Sequence, residues 1–225
     1  MQTTVEKPLL VPGRRTPWTW WAAAVLSLAI AAYSLRHAIV GEAAYAPELA
    51  PSFRARPTTI LAHTLFGPIA LVCGMVNLLP AMRHRRRWTA HRWIGRTYLA
   101  SALVLSVAGL LLAFHAAGGT ASRIGFALLA VLTLVTVMQG YRCIKVGNVR
   151  QHREWMLRSY SLIFAAVTLR IWLPLLIIAY QGQFLPAYRW VAWVSWVPNL
   201  IYIEYWIRRG WRPVSVLPEK FAEAH

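Results

Sequence analysis

The sequence contains no aspartate and only seven glutamates among its 225 residues. Most carboxylate chemistry is therefore excluded, including paired-aspartate sites, calcium loops and phosphate-loop sites with an acidic magnesium partner. The two cysteines, Cys73 and Cys143, are too few for a disulfide framework or a zinc ribbon. Charged residues make up 14% of the chain, whereas a soluble domain carries about a quarter. This deficit predicts that the chain folds in lipid rather than around a large soluble core.

Apolar residues make up 58% of the sequence and gather in six stretches long enough to cross a bilayer as helices. These predicted spans one to six cover residues 18–35, 58–82, 93–115, 124–141, 155–180 and 190–207. The sequence therefore predicts an all-α polytopic membrane protein with a single six-helix transmembrane domain over residues 18–208. Residues 1–17 and 209–225 are predicted to be cytoplasmic tails.

The basic residues indicate the orientation of these spans. Eighteen of the 24 lysines and arginines lie in the tails and loops of one side, and five lie on the other. The positive-inside rule then places both termini in the cytoplasm. The net charge of +17 is spread over short loops between apolar stretches, so it favours anionic lipid headgroups as partners and not nucleic acid.

A motif occurs twice, each time at the start of a span that runs outward from the cytoplasm. Residues 91–98 read HRWIGRTY and residues 152–160 read HREWMLRSY, so one residue is inserted in the second copy. The repeat predicts two related helix pairs, spans two with three and four with five, which together form a four-helix core. It also predicts that His91 and His152 face each other across adjacent helices, with Arg96 and Arg158 nearby.

These two motifs, together with Ala62-His63 and the run AAVTLR at residues 165–170, resemble a family of predicted bacterial membrane proteins catalogued as domain of unknown function 2306. The resemblance covers spans two to five and implies a protein of the bacterial cytoplasmic membrane, without implying an activity. The multi-helix core with histidines near both faces is more loosely similar to transmembrane di-haem cytochromes b.

Histidines inside membrane spans are candidate functional residues because an ionisable group in lipid is costly. Two pairs, one near each face, are what a membrane protein with two bis-histidine haems needs. We therefore consider a haem b electron-transfer protein, which as an enzyme would be a membrane-bound oxidoreductase. The candidate iron ligands are His63 and His115 near the outer face and His91 and His152 near the inner face. The candidate partners of the haem propionates are Arg92, Arg96, Arg153, Arg158 and Arg170.

One residue stands out within span five. Arg170 lies between Leu169 and Ile171, and a guanidinium facing hydrocarbon there costs several kcal/mol. We expect it to point into the core of spans two to five, towards His63. It should contact either a ligand carboxylate or several backbone and side-chain oxygens. Glu204 lies nearer the cytoplasmic face, and we expect it to pair with an arginine there.

The alternative function is a non-catalytic accessory, assembly or lipid-binding subunit of a larger membrane complex. On this interpretation the arginines reflect topology, and the small residues on one face of span two serve helix packing. Helix geometry also limits the haem hypothesis, since His91 and His115 point roughly 120° apart around one helix. Span four has no histidine. The small-residue face consists of His63, Gly67, Ala70, Gly74 and Asn77.

Overall fold

The computed structural model describes residues 18–79, 82 and 87–209, apart from the side chains of residues 19, 37, 38 and 42. These residues form nine α-helices and no strand. The predicted tails lie outside the described residues, except for residue 209. The helices are α1 (Trp18–Val40), α2 (Ala50–Arg54), α3 (Pro57–Leu78), α4 (Trp88–Ala113), α5 (Thr120–Lys145), α6 (Val149–Ile163), α7 (Ala165–Ala179), α8 (Phe184–Val194) and α9 (Val197–Arg208).

Four helical stretches are long and apolar enough to cross a membrane, namely α3, α4, α5 and the nearly continuous pair α6 and α7. They coincide with predicted spans two to five and confirm a polytopic all-α membrane protein. Helix α1, whose apolar part is Trp20–Arg36, coincides with span one. Helices α8 and α9 follow one another along predicted span six.

Several helices are longer than the apolar stretches that predicted them. Helix α4 begins at Trp88 and α6 at Val149, several residues before the predicted starts of spans three and five. The Asn148 side chain caps α6 by accepting a 3.0 Å hydrogen bond from the backbone N–H of Gln151. Polar residues at the membrane surface can thus belong to the helix. They were left out of the predicted spans because those spans were defined by apolar residues alone. Because the helices begin earlier, His91 and His152 lie within helices and not at their first residues.

The four-helix core predicted from the repeat is present. Helix α3 makes its most extensive contact with α4, and α5 makes its own with α6, as expected for two related pairs. Contacts of α4 with α5 and of α3 with α6 close the four helices into a ring, so α4 and α6 lie across its diagonal. Helix α1 packs on α3, α8 on α5 and α7, and α9 on α6. We call the end of this bundle where α4 and α6 begin the motif end.

The predicted sixth span is interrupted near its middle, at Ser195 and Trp196, where α8 ends and α9 begins. The side-chain amide of Asn199 lies within 2.9–3.3 Å of the backbone oxygens of Ser195 and Ser161 and of Thr168 Oγ1. Thr168 in turn donates to the Ser195 carbonyl. The carbonyl exposed by the interruption therefore has donors from α7 and α9, as an apolar environment requires.

Candidate functional site

The two motif tyrosines meet in the centre of the bundle. Tyr98 and Ser159 share a buried 2.6 Å hydrogen bond between α4 and α6, and Tyr160 shares a 3.1 Å hydrogen bond with Ser27 of α1. Both tyrosine rings lie against Gly74 of α3, where an added Cβ would come within 2.5 Å of Tyr160 and 2.6 Å of Tyr98. The end of each motif is therefore part of the packed core.

The two motif arginines share one feature and differ in another. Each lies over the tryptophan three residues before it, with 5.1 Å from Arg96 to the Trp93 ring and 4.8 Å from Arg158 to the Trp155 ring. Arg158 also donates two hydrogen bonds to Glu204 of α9, at 2.8 and 3.3 Å. This confirms the expected pairing of Glu204. Arg96 is exposed and forms no ion pair with any described residue.

The motif histidines lie seven residues before Tyr98 and Ser159, which is two helical turns or about 10 Å towards the motif end. Seven residues return a side chain to almost the same helix face. His91 and His152 therefore lie near the faces of α4 and α6 that carry Tyr98 and Ser159. Helices α4 and α6 lie on the diagonal of the ring and touch through the bond between Tyr98 and Ser159, and that the two imidazoles face each other stays a prediction.

The ring of His152 has a defined orientation. Its Nδ1 lies 2.8 Å from the backbone oxygen of Gly140 in α5. A carbonyl oxygen only accepts, so Nδ1 carries the proton and the lone pair of this imidazole is on Nε2. His91 is half-buried near the start of α4. The neighbouring Arg92 is exposed and Arg153 is half-buried, and neither forms an ion pair within the described part of the chain.

At the opposite end of the bundle, the small-residue face of α3 packs on α4. A Cβ added at Gly67 would lie 3.5 Å from Leu105, and the His63 ring lies 3.6 Å from the Cβ position of Gly109. These contacts favour the helix-packing interpretation of this face. His63 remains unusual, because its Nδ1 is buried without a hydrogen-bond partner among the described residues.

His115 lies just beyond the end of α4 and is exposed. Its Nδ1 is 3.2 Å from the Leu111 backbone oxygen, and its own backbone oxygen accepts a hydrogen bond from Ser52. No hydrogen bond among the described residues joins His115 to His63, so this pair of ligands stays a prediction. Within the described residues there is also no group of three or more metal-binding side chains, whereas a bis-histidine haem needs only two.

Arg170 is half-buried and contacts backbone and side-chain oxygens, which is the second of the two contacts expected for it. Its guanidinium donates to the Ala166 backbone oxygen at 2.8 Å and to Ser34 Oγ at 3.0 Å, and it lies 5.7 Å from the Tyr33 ring centre. We expected Arg170 to point into the core of spans two to five. Its partners Ser34 and Tyr33 belong to α1, so the expectation left out a helix that contacts this residue. The expected direction of Arg170 towards His63 stays a prediction, because its hydrogen bonds among the described residues go to Ala166 and Ser34.

Residues 60–207 match the family described as predicted membrane protein (DUF2306), which is about two thirds of the chain. The chain belongs to this family. The match confirms the resemblance seen in the motifs and extends it from spans two to five into α9. Membership of DUF2306 establishes an integral membrane protein and assigns no activity. No curated protein and no solved structure gives a match to the chain.

Sequence reasoning missed the contribution of α1 to this centre. Ser27 bonds to the motif residue Tyr160 and Ser34 bonds to Arg170, and both serines are buried. A signal was present, since small residues at spacings of three and four mark helix interfaces in membranes. The buried small residues of α1 are Ala24, Ser27, Ala31 and Ser34.

Proposed function

We propose that this membrane protein binds a b-type haem at the motif end, where His91 and His152 would hold its iron. The observation that carries the proposal is the hydrogen bond between Tyr98 and Ser159. It holds α4 and α6 in a fixed relation two turns above the histidines, across the diagonal of a four-helix bundle. Histidines on facing helices of such a bundle are a recurring way to hold a cofactor in its core.

The hydrogen bond of His152 supports this choice. Histidines that bind metals almost always donate their second ring N–H to a carbonyl, a carboxylate or water, which fixes the tautomer and the ring orientation. The 2.8 Å contact from His152 Nδ1 to Gly140 has this form and leaves Nε2 as the basic nitrogen. The pair His63 and His115 has weaker support, because His115 is exposed and bonded to its own helix.

Two arginines at the motif end suit the propionates better than the others that the sequence suggested. Arg158 already donates to Glu204, and Arg170 donates to Ala166 and Ser34. Arg92 and Arg153 directly follow the proposed ligands and form no ion pair within the described residues. They would therefore neutralise the carboxylates. A bound haem would supply one-electron chemistry, and the function would be electron transfer in the membrane.

The visible spectrum of the purified protein tests the proposal. Cells supplied with iron and a haem precursor should yield a protein with a Soret band that shifts on reduction with dithionite. Changing His91 or His152 to alanine should remove most of this absorbance, while His115→Ala should retain it. An unchanged spectrum in His91→Ala and His152→Ala would exclude this pair as ligands. Loss of absorbance in His63→Ala would then indicate the outer site.

A non-catalytic membrane subunit is the second candidate, and one observation favours it. The motif side chains Tyr98, Tyr160 and Arg158 all have partners within the chain, so much of the motif serves helix packing. The same purification distinguishes the two functions. A monodisperse, fully helical protein that lacks a Soret band, and that takes up no added haemin, would exclude the haem protein and leave the subunit.

A further inference from the structure

The two copies of the motif have different surroundings at their tryptophan and arginine. In the second copy, Trp155 and Arg158 are half-buried, and Arg158 bonds to the Glu204 carboxylate of α9. In the first copy, Trp93 is 63% exposed and Arg96 is exposed, without an acidic partner among the described residues. In the second repeat, the arginine that lies over the tryptophan thus binds a carboxylate, whereas the same pair in the first repeat has no described acidic partner.

The open surface continues along α4 as an apolar face. Ala100, Val104, Val107 and Leu111 are at least partly exposed there, and all lie within about 40° of Trp93 around the helix. Within the described residues, α4 packs extensively only on α3 and α5, so no helix covers this face as α9 covers α6. The face is therefore open to lipid on a membrane-spanning helix.

The charge of this surface favours a phosphate. Arg87 and Arg96 are exposed near the start of α4 and form no ion pair within the part of the chain that is described. Guanidinium groups bind phosphate with two parallel hydrogen bonds, and indoles prefer the level of the headgroups. The described part of a second copy is a poorer occupant, because its acids near the motif end, Glu154 and Glu204, are already bonded to arginines.

We propose that Trp93 and Arg96 form a binding site for an anionic glycerophospholipid in the leaflet at the motif end. The phosphate takes the place that the Glu204 carboxylate has in the second repeat. An acyl chain follows the exposed face through Ala100 and Val104 to Val107. Val107 is eleven residues beyond Arg96, or about 16 Å, which is close to half the hydrocarbon thickness of a bilayer. This site is independent of the proposed haem, since it lies on the outer face of α4.

Native mass spectrometry of the protein extracted from bilayers of equal phosphatidylglycerol and phosphatidylcholine tests the proposal. The wild type should retain phosphatidylglycerol selectively, and Arg96→Gln should reduce the retained amount several-fold. Arg96→Lys should retain an intermediate amount, because an ammonium keeps the charge without the planar fork. Arg150→Gln is the matched control, since Arg150 is 88% exposed and paired with Glu154, and it removes the same charge. It should behave as wild type.

Three results would overturn the site. Equal retention of the two lipids would show no preference for an anionic headgroup. Equal losses in Arg96→Gln and Arg150→Gln would show diffuse attraction and no defined site. A wild type that retains no lipid would also exclude it and leave a membrane helix with a carboxylate as the occupant of this face. Trp93→Phe, which conserves an aromatic ring, should lose less lipid than Arg96→Gln. The lipid that it retains would show that a substitution on this surface does not by itself prevent folding.

Discussion

Tyr98 and Ser159 are 61 residues apart in the chain and share a 2.6 Å hydrogen bond at the centre of the helix bundle. Each belongs to one copy of the repeated motif, and the residue after Ser159, Tyr160, lies against the same glycine as Tyr98. The bond joins diagonal helices, so it fixes the separation of the two helix pairs. Any ligand held between His91 and His152 depends on this separation.

Tyr98→Phe should destabilise the folded protein. The change leaves the Ser159 hydroxyl buried without its partner, and such a loss costs about 1–2 kcal/mol. Thermal unfolding in detergent, followed by circular dichroism, measures the effect. Ser159→Ala should have a similar effect, and the double variant should be less destabilised than the sum of the two.

The exposed Tyr202 provides the control for this pair, because Tyr202→Phe removes a hydroxyl from the surface. It should leave the midpoint of unfolding unchanged. Strictly additive effects of Tyr98→Phe and Ser159→Ala would contradict a direct interaction between the two side chains.

Gly74→Ala should prevent correct packing of the bundle. Its Cβ would lie 2.5 Å from Tyr160 and 2.6 Å from Tyr98, and the two rings are themselves held by hydrogen bonds. Overpacking of this kind costs roughly 1–3 kcal/mol or more. Gly67→Ala on the same helix is a matched control, since its Cβ would meet Leu105 at an ordinary 3.5 Å. Size-exclusion profiles should show aggregation for Gly74→Ala only, and equal profiles would refute the assignment.

The membrane fold was predictable because it depends on local properties of the sequence. Apolar length located the four long spans formed by α3, α4, α5 and the pair α6 and α7, and the repeat of His, Arg and Tyr located the two related helix pairs. Glu204 was assigned correctly to an arginine near the motif end because few acids compete for it. These inferences need only span length, depth and charge, which can be read directly from the chain.

The contacts between distant helices were not predictable in the same way. Arg170 has partners on α1, and nothing in its own segment indicates which helix lies beside it. The diagonal relation of α4 and α6 likewise depends on how four helices close into a ring. These two features arise from tertiary packing and became visible only in the structure. The interruption at Ser195 and Trp196 had a signal in the following Pro198, but proline also lies inside α3 and α7, so it does not by itself predict where a membrane helix ends.

Glu204→Gln should destabilise the protein more than Glu154→Gln. Glu204 accepts two hydrogen bonds from Arg158, whose side chain is 17% exposed, and losing a bond to a charged group costs roughly 1.5–3 kcal/mol. Glu154 pairs with the exposed Arg150 one turn away, and such pairs contribute below about 0.5 kcal/mol. Denaturant titration of both variants measures the difference. Equal effects would show that the contact between α6 and α9 does not depend on this ion pair.

The orientation of the chain is a further prediction. Both termini should be cytoplasmic, because eighteen of the 24 basic residues lie in the tails and loops of one side. Fusions of alkaline phosphatase and green fluorescent protein to each end measure this directly. Fluorescence without phosphatase activity is expected at both ends, and phosphatase activity at either end would show that the predicted topology is wrong.

Arg170→Leu should lower the stability of the protein by separating α1 from α7. Arg170 donates to Ser34 of α1 and to the Ala166 carbonyl of its own helix, and its charge cannot be removed by deprotonation. The loss should be about 1–3 kcal/mol, as expected when a bond to a charged group disappears. Arg170→Lys should recover only part of it, because one ammonium cannot reproduce both contacts of the fork.

Thermal unfolding in detergent and a disulfide between cysteines introduced in α1 and α7 measure the two consequences. The outward Arg123 is the control, because it is exposed at the same end of the bundle, so Arg123→Leu should change neither quantity. Ser34→Ala should reproduce part of the effect of Arg170→Leu, and combining the two should add little. If Arg170→Leu leaves both stability and disulfide formation unchanged, then Arg170 does not hold α1 against the bundle.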